Sequence, residues 1–97
     1  MTVFAMVPDL MDRARIDEAI LDVHHVTPGR IGALACDTDL ILVDLKRIGA
    51  AVALAVATGA RVVGFAPHVD DDVLAEAEAN GVEALPRSVF FRRLPEL

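Results

Sequence analysis

Four places in this 97-residue chain put chemically capable side chains directly after an apolar run. Asp9 follows Thr2 to Val7 (TVFAMV), Asp44 closes Asp39 to Asp44 (DLILVD), His68 follows Arg61 to Ala66 (RVVGFA), and Arg87 and Ser88 follow Val82 to Leu85. Two carboxylates brought to one edge of a sheet can hold a hard divalent cation such as Mg2+. One of them can also accept a phosphoryl group once a metal neutralises the incoming charge. Asp9 and Asp44 are therefore the candidate metal ligands, Asp44 is the candidate phosphoacceptor, and Arg87 and His68 are candidate phosphate contacts. Three of the four also have a structural alternative. Asp9 can cap a helix, Asp44 can be satisfied by Lys46 or Arg87, and a loop histidine such as His68 is commonly solvated.

Other polar clusters carry less. Asp70, Asp71 and Asp72 open a helix, where carboxylates complement the dipole. His24 and His25 are adjacent on a short strand, so they point to opposite faces and cannot chelate one ion together. Cys36 is the single cysteine, which excludes an internal disulfide and any zinc site built on several thiolates. There is no Gly-rich phosphate loop, nucleophile elbow or plausible triad to support hydrolase or oxidoreductase chemistry.

The elements that must position these residues alternate along the whole chain. Thr2–Val7 reads as a buried strand stopped by Pro8, and apolar positions at Ile16, Ala19, Ile20 and Val23 give a first helix over 10–21. That phase leaves Asp12, Arg13, Asp17 and Glu18 for solvent. Val23–Val26 is a short second strand, and Arg30–Cys36 has room for about two helical turns. Asp39–Asp44 is the third strand, Lys46–Thr58 an Ala-rich helix stopped at Gly59, and Arg61–Ala66 the fourth strand. A helix from Asp70 ends at Asn80-Gly81, Val82–Leu85 is the fifth strand, and Ser88 caps a last helix that Pro95 stops. Five strands separated by helices predict an α/β fold: a doubly wound, five-stranded parallel sheet of order 2-1-3-4-5, with residues 1–97 as one domain.

Composition narrows the partners. The chain is 55% apolar with a formal charge of -6, the wrong sign for neutralising nucleic-acid phosphates. Its longest uncharged stretch, Ile48–Ala60, is shorter than the roughly 20 residues a membrane span needs. The start, MTVFAMVPD, lacks the basic segment of a signal peptide, so a cytoplasmic location is expected. Within the Ala-rich helix, Ile48, Val52, Ala55 and Val56 face a core, while Gly49, Ala50, Ala53, Leu54 and Ala57 form an uncharged far side. That far side is a candidate interface for another protein or a second copy. The last helix, with Phe90 or Phe91 turned outward beside Arg92 and Arg93, is a second candidate.

The acid after the first strand, DLILVDL at the third, VVGFA at the fourth and NGVEALPRSVF around the fifth strand and last helix together resemble the receiver domain of bacterial response regulators. The resemblance implies that Asp44 takes the phosphoacceptor place and that Asp9 is one of a pair of metal-binding acids. It also implies that the carbonyl of Lys46 completes the Mg2+ set. Several of the family's working parts are replaced. Pro8 stands for the second acid, Ala66 for the hydroxyl residue that reports phosphorylation, Ala84 for a rotating aromatic, and Arg87 for a lysine. The Met-Pro-x-x-x-Gly loop after the acceptor is absent. The expected function is a stand-alone receiver-like regulatory or protein-interaction module that does not use the full phosphorylation switch. The alternatives are a working phosphoacceptor that modifies Asp44 with Mg2+, and a small-molecule binder at the strand ends.

Overall fold

The computed structural model describes residues 2–30, 38–49 and 52–97, apart from the side chains of residues 53 and 54. The elements run β1 (Val3–Met6), α1 (Leu10–Ala19), β2 (Val23–His25), β3 (Leu40–Asp44), α2 (Leu45–Ile48) and α3 (Val52–Ala57). They continue with β4 (Arg61–Ala66), α4 (Asp71–Ala79), β5 (Glu83–Pro86), α5 (Arg87–Arg93) and a 3-10 turn, Leu94–Glu96. The strands form one sheet in the order β2-β1-β3-β4-β5, and every pairing is parallel. This is the expected α/β architecture, with the topology of a flavodoxin-like fold.

The continuous apolar runs of β1, β3 and β4 follow from burial on both faces. Phe4, Met6, Ile41, Val43, Val62 and Ala66 point into one layer with α2, α3 and α4. Val3, Ala5, Leu40, Leu42, Val63 and Phe65 point into the other, with Ile16 of α1 and with Phe90, Phe91 and Leu94 at the C-terminal end. Val52 and Ala55 are buried, and Ile48 and Val56 pack against the same core, as their spacing predicts. Helices α3 and α4 stop at turns whose glycines, Gly59 (φ 79°) and Gly81 (φ 89°), take the left-handed conformation.

Several local expectations change. Phe90 and Phe91 are both buried, so neither is an exposed interface residue. Their rings stack with Phe65 at centroid distances of 4.5 and 5.3 Å, and the guanidinium of Arg15 covers Phe91 at 4.0 Å. The aromatic trio needs both side chains to fill the space between β4 and the α1 layer, which leaves Arg92 and Arg93 as the exposed pair. Helix α5 starts at Arg87, directly after Pro86, so Ser88 lies inside the first turn and does not cap it. Of the helix expected over 46–58, the described residues give α2 (Leu45–Ile48) and α3 (Val52–Ala57), and residues 50–51 lie outside them. On its expected far side Gly49 and Ala57 are exposed. Ala50 and the side chains of Ala53 and Leu54 lie outside the described residues, as does most of the helix expected at 30–36. Among the described residues no helix is long and apolar enough to cross a membrane.

Gly64 of β4 sits under α2. A Cβ there would lie 2.6 Å from Cγ and Cδ2 of Leu45, a buried side chain with little room to retreat. Gly64→Ala is therefore expected to cost about 1–3 kcal/mol in urea unfolding. Gly49→Ala lies at φ -54° with nothing within 4 Å of the new methyl, and is expected to raise stability by about 0.4–1 kcal/mol. Equal effects from the two substitutions contradict the packing described for α2.

Candidate functional site

The carboxyl ends of β1, β3 and β5 deliver Asp9, Asp44 and Arg87 to one edge of the sheet, as the strand order requires. Asp9 caps α1, its Oδ1 accepting from the backbone N–H groups of Met11 (2.9 Å) and Asp12 (3.0 Å). Asp44 caps α2, its Oδ1 accepting from Arg47 N at 3.2 Å. Their second oxygens face the same guanidinium: Arg47 Nη2 is 3.8 Å from Asp9 Oδ2, and Arg47 Nε is 3.6 Å from Asp44 Oδ2. A cation from the chain itself thus bridges the two carboxylates expected to share Mg2+.

Arg87 is held elsewhere. Its guanidinium grips Asp12 of α1 in a fork, with Nη1 donating to Oδ2 at 2.8 Å and Nη2 donating to Oδ1. Asp12 is only 3% exposed, contrary to its expected place on the wet side of α1. It lies one turn before the buried Ile16, on the stripe that faces the sheet. The Arg87 guanidinium stands 4.9 Å from the Phe91 ring centroid and 5.5 Å from that of Phe65, which joins the charged edge to the aromatic layer. Arg13, also expected in solvent, donates from Nε to the carbonyl of Val7 at 2.6 Å.

The remaining candidates stand apart from this cluster. Lys46 Nζ lies 3.3 Å from Asp70 Oδ2, an ion pair without hydrogen-bond geometry that ties the β3–α2 junction to the β4–α4 turn. His68 is exposed in that turn and, among the described residues, makes no hydrogen bond or ion pair. His24 leans on Phe4 in one layer at a centroid distance of 5.3 Å. His25 Nε2 meets Asp17 of α1 at 2.8 Å on the other face. Cys36 lies outside the described residues. A cavity of about 310 Å3 opens between Gly49, Val52, Val73 and Glu76, and another of about 610 Å3 runs along β2 beside His24, Thr27 and Arg30.

The donor set does not fit Mg2+. All six carboxylate oxygens of Asp9, Asp12 and Asp44 already face a guanidinium or a backbone N–H. A metal that prefers octahedral oxygen coordination would have to displace Arg47 to reach Asp9 and Asp44, and Arg87 as well to add Asp12. Among the described residues no group of three His, Cys, Asp or Glu side chains could hold a metal ion. Burial pushes the Asp44 carboxyl above its ordinary range, against the N–H and charge of Arg47. The Asp12 N–H holds Asp9 below its ordinary range, with smaller help from Met11 N–H, Arg47 and Arg87. The hydrogen bond to Asp12 raises Arg87 further.

Sequence reasoning found Asp9, Asp44 and Arg87 but missed Asp12 and Arg47. The spacing of Asp12 to Ile16, four residues, was the available signal for the first. The second sits three residues after Asp44, where a helix cap brings it back over the carboxylate. No family model, curated protein or solved structure matches the chain.

The raised Asp44 carboxyl has a measurable consequence. A folded-state value above the unfolded one makes the native state bind more protons between the two. Asp44 therefore lowers stability above its folded pKa, and the loss is relieved as pH falls through it toward the ordinary carboxylate value of 3.8. Asp44→Asn keeps a capping oxygen and removes the buried charge. Urea unfolding from pH 7 to pH 4 is expected to show the wild type gaining stability relative to Asp44→Asn as pH falls; parallel curves contradict the assignment.

Proposed function

We propose that the chain is a receiver-like protein-interaction module that works without phosphoryl transfer. The observation that carries this reading is the Arg47 guanidinium between Asp9 and Asp44, where the family resemblance calls for a divalent cation. A guanidinium neutralises the two carboxylates with no external ion to recruit, and no hydration shell of a metal has to be stripped. The fork from Arg87 to Asp12 supports the same reading, because the cation that the resemblance assigns to an acyl phosphate is already spent on a buried carboxylate. Ala66 and Ala84 are both buried and offer neither a hydroxyl nor a rotating aromatic to relay a change at Asp44.

A role in binding another protein draws support from the surface around this edge. Leu10 (76% exposed) and Met11 (79%) follow Asp9 at the start of α1, and Val69 (72%) lies in the β4–α4 turn. Three large apolar side chains this exposed at one edge of the sheet support a contact surface there.

The test is incubation with acetyl phosphate, or with beryllofluoride, at millimolar Mg2+. Intact mass and backbone amide spectra are expected to stay unchanged. A phosphoryl mass gain, or amide shifts around residues 9, 44 and 66, that disappear in Asp44→Asn would replace this reading with a working phosphoacceptor.

A further inference from the structure

We infer that the carboxyl edge of the sheet docks an amphipathic segment carrying apolar and basic side chains; this rests on the reading of the chain as an interaction module. Four large apolar residues are highly exposed among the described residues, and Leu10, Met11 and Val69 all lie at this edge. The fourth, Leu21 (86% exposed), lies at the far end of α1, near the opposite edge.

Ion pairs hold the three loops side by side. Asp9 of the first loop meets Arg47 at the β3–α2 junction, and Lys46 there meets Asp70 of the third. β1, β3 and β4 are neighbours, so the strand ends that lead to Leu10 and Met11 and to Val69 are about two strand spacings, roughly 10 Å, apart. About two turns of helix bridge that span.

The charge left free on this edge is negative. Arg47, Lys46 and Arg87 are each paired with carboxylates, and with Arg13, which donates to Val7 O, they are outnumbered there by Asp9, Asp12, Asp44, Asp70, Asp71 and Asp72. Asp71 and Asp72, exposed beside Val69, make no ion pair among the described residues. An edge with apolar posts and carboxylates outside any ion pair, on a chain of net charge -6, complements leucine-like and lysine- or arginine-like side chains on one ligand face. An acidic segment would meet repulsion at Asp71 and Asp72.

A labelled 14-residue peptide of leucine and lysine at helical spacing tests this, with its leucine–glutamate counterpart as comparison. The proteins compared are the wild type, a Leu10→Ser/Met11→Ser double variant, and Leu21→Ser as an apolar control away from the edge. All three positions are highly exposed, so folding is not at stake. The lysine peptide is expected to bind the wild type and Leu21→Ser alike, to lose about tenfold in affinity for the double variant, and to weaken with salt. Its amide shifts are expected in residues 9–12, 44–47 and 68–72. Equal loss in Leu21→Ser, shifts centred elsewhere, equal binding of the glutamate peptide, or no binding at all overturns the surface. If the same samples stay silent to beryllofluoride, such a result leaves the reading of the site standing. A beryllofluoride response beside normal peptide binding overturns that reading and leaves the surface intact.

Discussion

A carboxylate 3% exposed between a helix and a sheet must be neutralised where it lies, and Asp12 is neutralised by Arg87 from the other end of the chain. Much of the arrangement at the strand ends follows from that one demand. The fork pins the first turn of α1 to the β5–α5 junction, across the layer filled by Phe65, Phe90 and Phe91. It lays the guanidinium near two aromatic rings, which favour a cation over their faces. It also commits Arg87, so this side chain is not free to meet a phosphate near Asp44. Pairing of this kind is costly to break from one side, because the partner is left charged and buried.

The same logic governs Asp9 and Asp44. Both act as helix caps, and both turn their second oxygen to Arg47. Two carboxylates this close to one another need a positive charge between them, and the chain supplies it three residues after Asp44. Electrostatics and local helix geometry thus reach the same solution, since a residue at that offset returns over the cap. The price is a desolvated Asp44, whose carboxyl burial pushes up despite the neighbouring guanidinium.

Much of the fold was legible in the sequence because β1, β3 and β4 are buried on both faces, and such strands read as unbroken apolar runs. Their alternation with helices leads to the parallel order directly. The site was legible only in part. Asp9, Asp44 and Arg87 are visible as strand-end residues, whereas the charge of Asp12 points to solvent although the phase set by Ile16 puts it on the buried stripe. Its partner lies 75 residues away, a pairing that no local pattern announces. The burial of both Phe90 and Phe91 has a related cause: which of two adjacent helix residues faces out depends on the space beside Phe65, and that space is set by tertiary packing.

The most direct measurement is a double-mutant cycle on Asp12 and Arg87, using Asp12→Ala, Arg87→Ala and the pair together in urea unfolding at pH 7. Arg87 is 41% exposed, so screening reduces the interaction below that of a fully buried pair. The account predicts a coupling of about 1–3 kcal/mol, with the double variant less destabilised than the sum of the two single ones. Additivity within about 0.3–0.5 kcal/mol would contradict it, because Arg87 would then be free for another partner at the strand ends.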